Sequence, residues 1–243
     1  MSGEARPAFY ALAPGGWRDY VTLLHPPYTL WHLSYVVIGA GLAPHLPLGR
    51  LALAVAAFFL ALGISAHALD ELRGRPLRTD IPERTLVALA VASLAGAIAI
   101  GLAVAIVHDL WLLPFVAFGG FIVCAYNLEL FGGRFHGDLW FALAWGAFPL
   151  LTGYFAAADR LTGEAVLAAI FAALLSAAQR TLSTPVRMIR RRVASVTGTI
   201  ELREGSREPI GPETLTRTPE VALRLLAAAV VALAVSLLVL RLA

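Results

Sequence analysis

The chain has 243 residues, of which 59% are hydrophobic and only 14% are charged. Soluble domains contain roughly 45–50% apolar and about 25% charged residues, so this composition excludes a soluble globular enzyme and a disordered chain. All 19 basic residues are arginine, and the net charge is only +3. The single cysteine, Cys124, lies in an apolar stretch, which excludes a disulfide framework and a cysteine-based metal site.

Apolar stretches long enough to cross a bilayer recur along the chain. A hydrocarbon core of roughly 30 Å requires about 20 apolar residues in a helix, so the sequence predicts one all-α membrane domain of about seven spanning helices. The predicted spans are residues 30–46, 51–69, 86–107, 110–126, 139–158, 166–182 and 221–240. Residues 1–26 carry Phe9, Tyr10, Trp17 and Tyr20, and we expect them to form an amphipathic segment at the headgroup level.

Arginines are distributed unevenly between the predicted loops, and this asymmetry predicts the orientation. The N-terminal segment and every second loop contain 14 arginines, whereas the loops on the other side contain two. Because arginine-rich loops face the cytoplasm, we expect a multi-pass protein of the cell membrane with a cytoplasmic N-terminus and an outside C-terminus. The cytoplasmic segment 193–219 is polar, and the alternation at residues 196–202 before Gly205 predicts a loop or a small hairpin.

The second predicted span ends in a polar cluster of His67, Asp70 and Glu71. In a helix these three candidate catalytic residues are spaced i, i+3 and i+4 and share one face. Ionisable side chains at membrane depth are costly and usually mark function. Asp70 and Glu71 can hold Mg²⁺, which completes its shell with water and phosphate oxygens, and Arg75 can pair with a phosphate. The alternative is a helix end that meets water, with both carboxylates paired to nearby arginines.

The fourth loop, residues 126–138, is short, polar and rich in glycine. Arg134 is a candidate for binding a phosphate, and Tyr126, Asn127 and Asp138 are candidates for contacting an acceptor molecule. The loop is not a phosphate-binding P-loop, because the required Gly-Lys-Ser/Thr sequence is absent. The alternative role of Asp138 is to cap the helix that follows it.

The sixth predicted span ends in a polar stripe on an otherwise apolar helix. The stripe consists of Ser176, Gln179, Arg180, Ser183 and Arg187. Because this helical spacing aligns the side chains on one face, we treat Gln179, Arg180 and Arg187 as candidates for binding a diphosphate. The three arginines at 190–192 have a simpler interpretation as an anchor for anionic headgroups, at about 1 kcal/mol per arginine.

Three stretches of the chain are similar, in their order and spacing, to the sequence motifs of a known protein family. Residues 20–30, which contain His25-Pro26-Pro27, are similar to an Arg-Pro-Thr-Leu-like lead into a first helix. Residues 67–77 are similar to an aspartate motif, Asn-Asp-x-x-Asp-x-x-x-Asp, followed by Arg-Pro-Leu, and residues 126–154 are similar to the region between a fourth and a fifth helix. Together these stretches resemble the UbiA superfamily of intramembrane prenyltransferases over residues 20–190.

The resemblance implies a helical fold in which a prenyl diphosphate binds at the cytoplasmic end of a central cavity. In the family, two aspartate motifs hold Mg²⁺ against the diphosphate, and ionisation leaves an allylic cation that an acceptor attacks. Here Asp70 matches the middle aspartate of the first motif, whereas His67 and Gly74 stand where its outer aspartates fall. Residues 176–187, where the second motif falls, contain no carboxylate, so we expect fewer magnesium ions than in typical members.

The expected function is a divergent prenyltransferase that moves an isoprenoid from a prenyl diphosphate to an acceptor in the cytoplasmic leaflet. Two alternatives stay open. One is a terpene cyclase of the same fold, in which a double bond of the substrate is the acceptor. The other, favoured by the missing second motif, is a non-catalytic protein that binds isoprenoid lipid or a partner membrane protein. The expected partners are membrane lipid, a prenyl diphosphate and an acceptor, with no nucleic acid.

Overall fold

The computed structural model describes residues 6–243, which form eight helices, a short 3₁₀ turn at Phe131–Gly133 and one hairpin. The helices are α1 (Trp17–Leu23), α2 (Pro26–Leu42), α3 (Leu48–Leu72), α4 (Glu83–Val107), α5 (Leu110–Asn127), α6 (Asp138–Ala158), α7 (Gly163–Arg192) and α8 (Pro212–Leu242). The strands β1 (Gly198–Glu201) and β2 (Arg207–Ile210) pair in antiparallel fashion. Gly205, in the turn between them, has a φ of 86°, which favours glycine.

Six helices within residues 6–243, α3 to α8, are long and apolar enough to cross a membrane. They correspond to the second to seventh predicted spans and make the chain a multi-pass, all-α membrane protein. The remaining predicted span corresponds to α2, which has 17 residues and is about 26 Å long. Trp31 and Tyr35 on α2 are fully buried, so this helix lies inside the bundle.

Two glycines allow α2 to pack closely against α6. A Cβ atom added to Gly39 on α2 would overlap the carbonyl oxygen of Leu150, and one added to Gly153 on α6 would overlap that of Val36. Small residues of this kind let membrane helices approach backbone to backbone. The other side of α2 packs along α8.

The first predicted span, 30–46, was wrong at both ends, because α2 runs from Pro26 to Leu42. Pro26 and Pro27 occupy its first turn, where a missing amide proton removes no helical hydrogen bond. Pro44 and Pro47 instead fall in the connection to α3, since proline does not continue a helix.

The last two helices are longer than their predicted spans of 166–182 and 221–240. In α7 the helix continues past Pro185 to Arg192, and α8 begins at Pro212. Arg190 and Glu220 join the two extensions with two hydrogen bonds, one of them 2.9 Å long. This ion pair between helices has no signature in the local sequence pattern.

The connections between the helices fall into two sets, one at each end of the bundle. Residues 73–82, 128–137 and 193–211 lie at the same end as the N-terminal segment, and we call this the arginine-rich end. The opposite end contains an ion pair between Arg50 and Asp159 at 2.6 Å. There Arg241 also donates a hydrogen bond to the carbonyl oxygen of Ala43 at 2.8 Å, so residues 6–16 and the C-terminal end of α8 lie at opposite ends of the bundle.

Candidate functional site

The arginine-rich end contains a charged cluster at the ends of α3 and α7. Asp70, on α3, is partly exposed and its carboxylate has no hydrogen bond within residues 6–243. Arg187 and Arg191, one turn apart on α7, both act on it electrostatically, as does His136 from the neighbouring loop. The arrangement surrounds one carboxylate with more positive than negative charge, and we call Asp70, Arg180, Arg187 and Arg191 the polar site.

Arg180 is held at the polar site by three partners. Its NH1 group donates a hydrogen bond to the phenol oxygen of Tyr126 at 2.5 Å, and its Nε group donates to the exposed carboxylate of Asp138. The guanidinium carbon lies 5.3 Å from the ring centroid of Phe141, within range of a cation–π interaction. Tyr126 and Asp138, predicted as acceptor contacts, thus fix the position of this arginine.

Arg187 and Arg191 keep most of their donors free. Arg187 donates to the hydroxyl of Thr184 at 3.3 Å, and Arg191 donates from Nε to the carbonyl oxygen of Pro7 at 3.3 Å. Their other guanidinium N–H groups have no partner within the described residues. Planar guanidinium groups of this kind bind phosphate in a bidentate manner.

Glu71 and Arg75 serve the loop that follows α3. The Glu71 carboxylate is fully buried and accepts three hydrogen bonds of 2.9 Å, from the amides of Leu77 and Thr79 and from the Thr79 hydroxyl. Arg75 donates to the carbonyl oxygens of Thr79 at 3.1 Å and Ile81 at 2.6 Å. Because these polar atoms are already paired, we place both residues outside the polar site.

Three other predicted site residues lie in different surroundings. Asn127 is buried and donates to the carbonyl oxygen of Val123 on its own helix at 2.8 Å. Arg134 is exposed, and its side chain has no hydrogen bond or ion pair within residues 6–243. Gln179 is buried, and its side-chain oxygen is one of two buried side-chain polar atoms without a partner in the described chain. The structure therefore gathers His67, Asp70, Tyr126, Arg180 and Arg187, and leaves Asn127 and Arg134 aside.

His67 follows directly after a π-helical segment of α3, Phe59–Ala66. Its Nδ1 atom lies 3.0 Å from the carbonyl oxygen of Gly63, and since a carbonyl only accepts, Nδ1 donates. The second π-helical segment is Leu143–Ala147 in α6. His32 contacts this segment, because its Nδ1 donates a hydrogen bond to the carbonyl oxygen of Trp145 at 2.7 Å. Such π segments are frequent at functional sites, and a neutral His67 keeps its Nε2 lone pair available.

Residues 6–16 form no regular helix and cross the arginine-rich end. The amide of Leu12 is hydrogen-bonded to the Thr22 hydroxyl at 3.0 Å, and Tyr10 turns inward, with its hydroxyl 2.8 Å from Nδ1 of His25. Trp17 and Tyr20, by contrast, are exposed. Because Tyr10 and His25 are 15 residues apart, no local spacing in the sequence predicted their pairing.

The environment of this pair shifts both pKa values. Burial raises the pKa of Tyr10 well above its ordinary value, and the negative charge of Asp70 adds to the effect. Burial also lowers the pKa of His25 well below 6.5, and the neighbouring His67, Arg191 and Arg187 lower it further. Both side chains are therefore neutral at physiological pH.

An apolar cavity lies between α3, α4, α5 and α6. Thr152 and Arg50, which is at the far end of the bundle, are the polar exceptions among its lining side chains. Gly119 and Gly120 form part of the wall and leave room that larger side chains would fill. Toward the arginine-rich end the wall includes Trp145, whose ring lies 4.6 Å from that of Tyr126. The cavity and the polar site are thus separated by one aromatic contact.

The donor set limits which metal the polar site can hold. Within residues 6–243, no group of three or more His, Cys, Asp or Glu side chains is arranged to bind a metal ion. Both oxygens of Glu71 are hydrogen-bonded to the loop, so within the polar site Asp70 offers the free carboxylate. One carboxylate fits a single Mg²⁺ that takes its other ligands from water and phosphate, and does not fit a cluster of several ions.

No family model, curated protein or solved structure matches the chain. The fold and the site define a multi-pass helical membrane protein in which an arginine-rich polar site adjoins an apolar cavity. Its ligand has to be inferred from the chemistry of those two features.

Proposed function

We propose that the protein is a divergent UbiA-type prenyltransferase, with the diphosphate of its substrate on the polar site and the isoprenoid chain in the apolar cavity. One observation carries this proposal: Trp145 lines the cavity and contacts Tyr126, which in turn accepts a hydrogen bond from Arg180. A molecule with an anionic head and an apolar tail fits such a junction. The sequence resemblance over residues 20–190 supports the same class.

Arginines take over the role of the missing second aspartate motif in this proposal. Arg180, Arg187 and Arg191 bring three positive charges to one end of α7, and charge-assisted hydrogen bonds to phosphate are roughly twice as strong as neutral ones. When bound at Asp70, Mg²⁺ supplies further neutralisation of the diphosphate charge. The site thus stabilises the charge that develops on a departing diphosphate.

The reaction breaks the bond between C1 of the isoprenoid and the diphosphate oxygen, and the electron pair leaves with the diphosphate. The rings of Tyr126 and Trp145 offer π faces to the resulting allylic cation. The acceptor forms a new bond to C1 and gives up a proton. His67 takes this proton on Nε2, because its Nδ1 already donates to Gly63.

Diphosphate release from geranylgeranyl diphosphate, by the purified protein in lipid and with or without Mg²⁺, tests the proposal. We expect Asp70→Asn to lower release about a hundredfold or more, because it removes the free carboxylate of the polar site. Asp80→Asn is the matched control, since Asp80 is exposed in the loop after α3. Equal release by wild type and Asp70→Asn would show that the site is misassigned.

Two further results separate the alternatives. Product formed without any added acceptor would indicate a terpene cyclase. If the folded wild-type protein released no diphosphate from substrates of 10, 15 or 20 carbons, the transferase proposal would be wrong and a non-catalytic isoprenoid-binding role would replace it.

We also propose that the arginine-rich end faces the cytoplasm, because the arginine asymmetry favours that side. The test uses two single-cysteine proteins in a Cys124→Ala background. Ser206→Cys lies in the exposed hairpin turn, and Arg160→Cys is exposed at the opposite end. A membrane-impermeant maleimide should label only Arg160→Cys in intact cells, and the reverse pattern would contradict this orientation.

A further inference from the structure

His25 is buried, its backbone is strained, and only one of its two ring nitrogens has a hydrogen-bond partner within the described chain. Its residue is 9% exposed, its Nδ1 pairs with Tyr10, and its Nε2 has no hydrogen-bond partner within the described chain. Its backbone has φ 46° and ψ 57°, a left-handed conformation that is unfavourable for a non-glycine residue, above all before a proline such as Pro26. Buried polar atoms are nearly always paired, and backbone strain of this kind clusters at functional sites.

The pairing with Tyr10 is the basis for assigning which ring nitrogen of His25 carries the proton. Nδ1 of His25 is the one hydrogen-bond partner of the Tyr10 hydroxyl within residues 6–243, and we assign the hydroxyl as the donor and Nδ1 as the acceptor, because this direction uses the hydroxyl hydrogen, which has no other acceptor among these residues. A neutral imidazole has one N–H group, which must then be on Nε2. The unpartnered atom is therefore a donor that lacks an acceptor.

The surroundings of this donor favour an anion. Arg187 and Arg191, which act on Asp70, act on His25 as well. The His25 ring is stacked on that of His67, with centroids 4.0 Å apart and planes 7° apart. The stack fixes the orientation of the His25 ring beside the polar site, where Arg187 and Arg191 supply positive charge.

We propose that the Nε2–H group of His25 donates a hydrogen bond to a phosphate oxygen of the bound diphosphate, completing an anion site with Arg187 and Arg191. This inference rests on the proposed function, because it names one more contact to the same substrate. His25 is then a substrate-binding residue, and Tyr10 is a positioning residue that holds the imidazole in the donating tautomer.

Binding of inorganic diphosphate to the full-length protein in lipid nanodiscs, measured by titration calorimetry, tests the contact. We expect His25→Gln to weaken binding about tenfold or more, since a hydrogen bond to a charged group is lost. His108→Gln is the matched control, because His108 is exposed at the C-terminal end of α4, which lies at the other end of the bundle from the polar site. Unchanged affinity of a folded His25→Gln protein would overturn the inference.

A second measurement uses the wild-type protein and does not depend on the folding of a variant. In ¹⁵N-histidine-labelled protein, we expect His25 to show a protonated Nε2 whose resonance moves when diphosphate is added, whereas His32 stays unchanged. A protonated Nδ1, or no movement at saturating diphosphate, would contradict the proposal. If the wild-type protein binds no diphosphate, the proposed function is wrong as well. If His25→Gln binds diphosphate as tightly as wild type, only the proposed contact with His25 is wrong.

Discussion

The ring centroids of Trp145 and Tyr126 lie 4.6 Å apart, and this contact lies between the apolar cavity and the polar site. The Trp145 side faces a cavity lined almost entirely by apolar side chains. On the other side, the Tyr126 hydroxyl accepts a hydrogen bond from Arg180. We therefore expect changes to the Tyr126 hydroxyl to affect the head of a bound substrate and not its tail.

Tyr126→Phe keeps the aromatic contact with Trp145 and removes the acceptor for Arg180. We expect affinity for inorganic diphosphate to fall roughly threefold to tenfold, because one hydrogen bond that positions the guanidinium is lost. The melting temperature should stay within about 2 °C of wild type. Tyr20→Phe, at an exposed tyrosine, serves as the control, and equal diphosphate affinity in all three proteins would refute a positioning role.

Asp70 and Glu71 are adjacent in sequence but should respond differently to removal of their charge. Glu71→Gln weakens the three hydrogen bonds that its carboxylate accepts from the loop, and we expect a loss of about 1–3 kcal/mol in the free energy of unfolding. Asp70→Asn should leave stability nearly unchanged, since that carboxylate has no hydrogen bond within residues 6–243. Thermal unfolding in one detergent compares the two, and equal stability losses would contradict the distinction.

Gly39 and Gly153 should tolerate no side chain. An alanine Cβ at either position would overlap a carbonyl oxygen of the facing helix, and overpacking typically costs about 1–3 kcal/mol, sometimes more. We expect the melting temperature of each alanine variant to fall by roughly 5–10 °C. Gly49→Ala is the control, because no atom lies within 4 Å of the added Cβ. Stable Gly39→Ala and Gly153→Ala proteins would show that α2 and α6 are farther apart.

Neutral His25 should make the stability of the protein depend on pH. Its pKa in the folded protein is well below 6.5, so below pH 6.5 the unfolded chain binds a proton that the folded protein does not. The stabilisation is complete above pH 6.5 and is lost at up to about 1.4 kcal/mol per pH unit as the pH falls toward the folded pKa. Between pH 7.5 and 5, the melting temperature should fall further for wild type than for His25→Gln, and parallel curves would disprove the effect.

The sequence predicted the parts of the fold that depend on local pattern. Apolar stretches located helices α3 to α8, and alternating residues before Gly205 indicated the position of the hairpin. Periodicity along the polar stripe placed Arg180 and Arg187 on one face of α7, and the structure brings Arg180 into contact with Tyr126. Each of these features requires only residues that are close in the chain or the alignment of side chains on one helix.

The remaining features depend on partners that local pattern does not reveal. Helical spacing put Asp70 and Glu71 on the same face of α3 as His67. Leu77 and Thr79 in the following loop, however, pair with Glu71 and leave Asp70 free. The contact of Tyr10 with His25 requires the N-terminal segment to fold back over the bundle. The sequence pattern favours an interpretation of Arg191 as a headgroup anchor, and its electrostatic effect on Asp70 became visible in the structure alone.

The most direct test of the central claim is to map a bound substrate by photolabelling. A geranylgeranyl diphosphate analogue with a diazirine at its tail should label cavity-wall residues such as Val116 and Phe148, and unlabelled geranylgeranyl diphosphate should prevent this. Labelling should fall about tenfold in Arg187→Gln and stay unchanged in Arg160→Gln, since Arg160 is exposed at the opposite end. Labelling confined to outward-facing residues such as Val91 and Leu225, and insensitive to competitor, would contradict the proposed site.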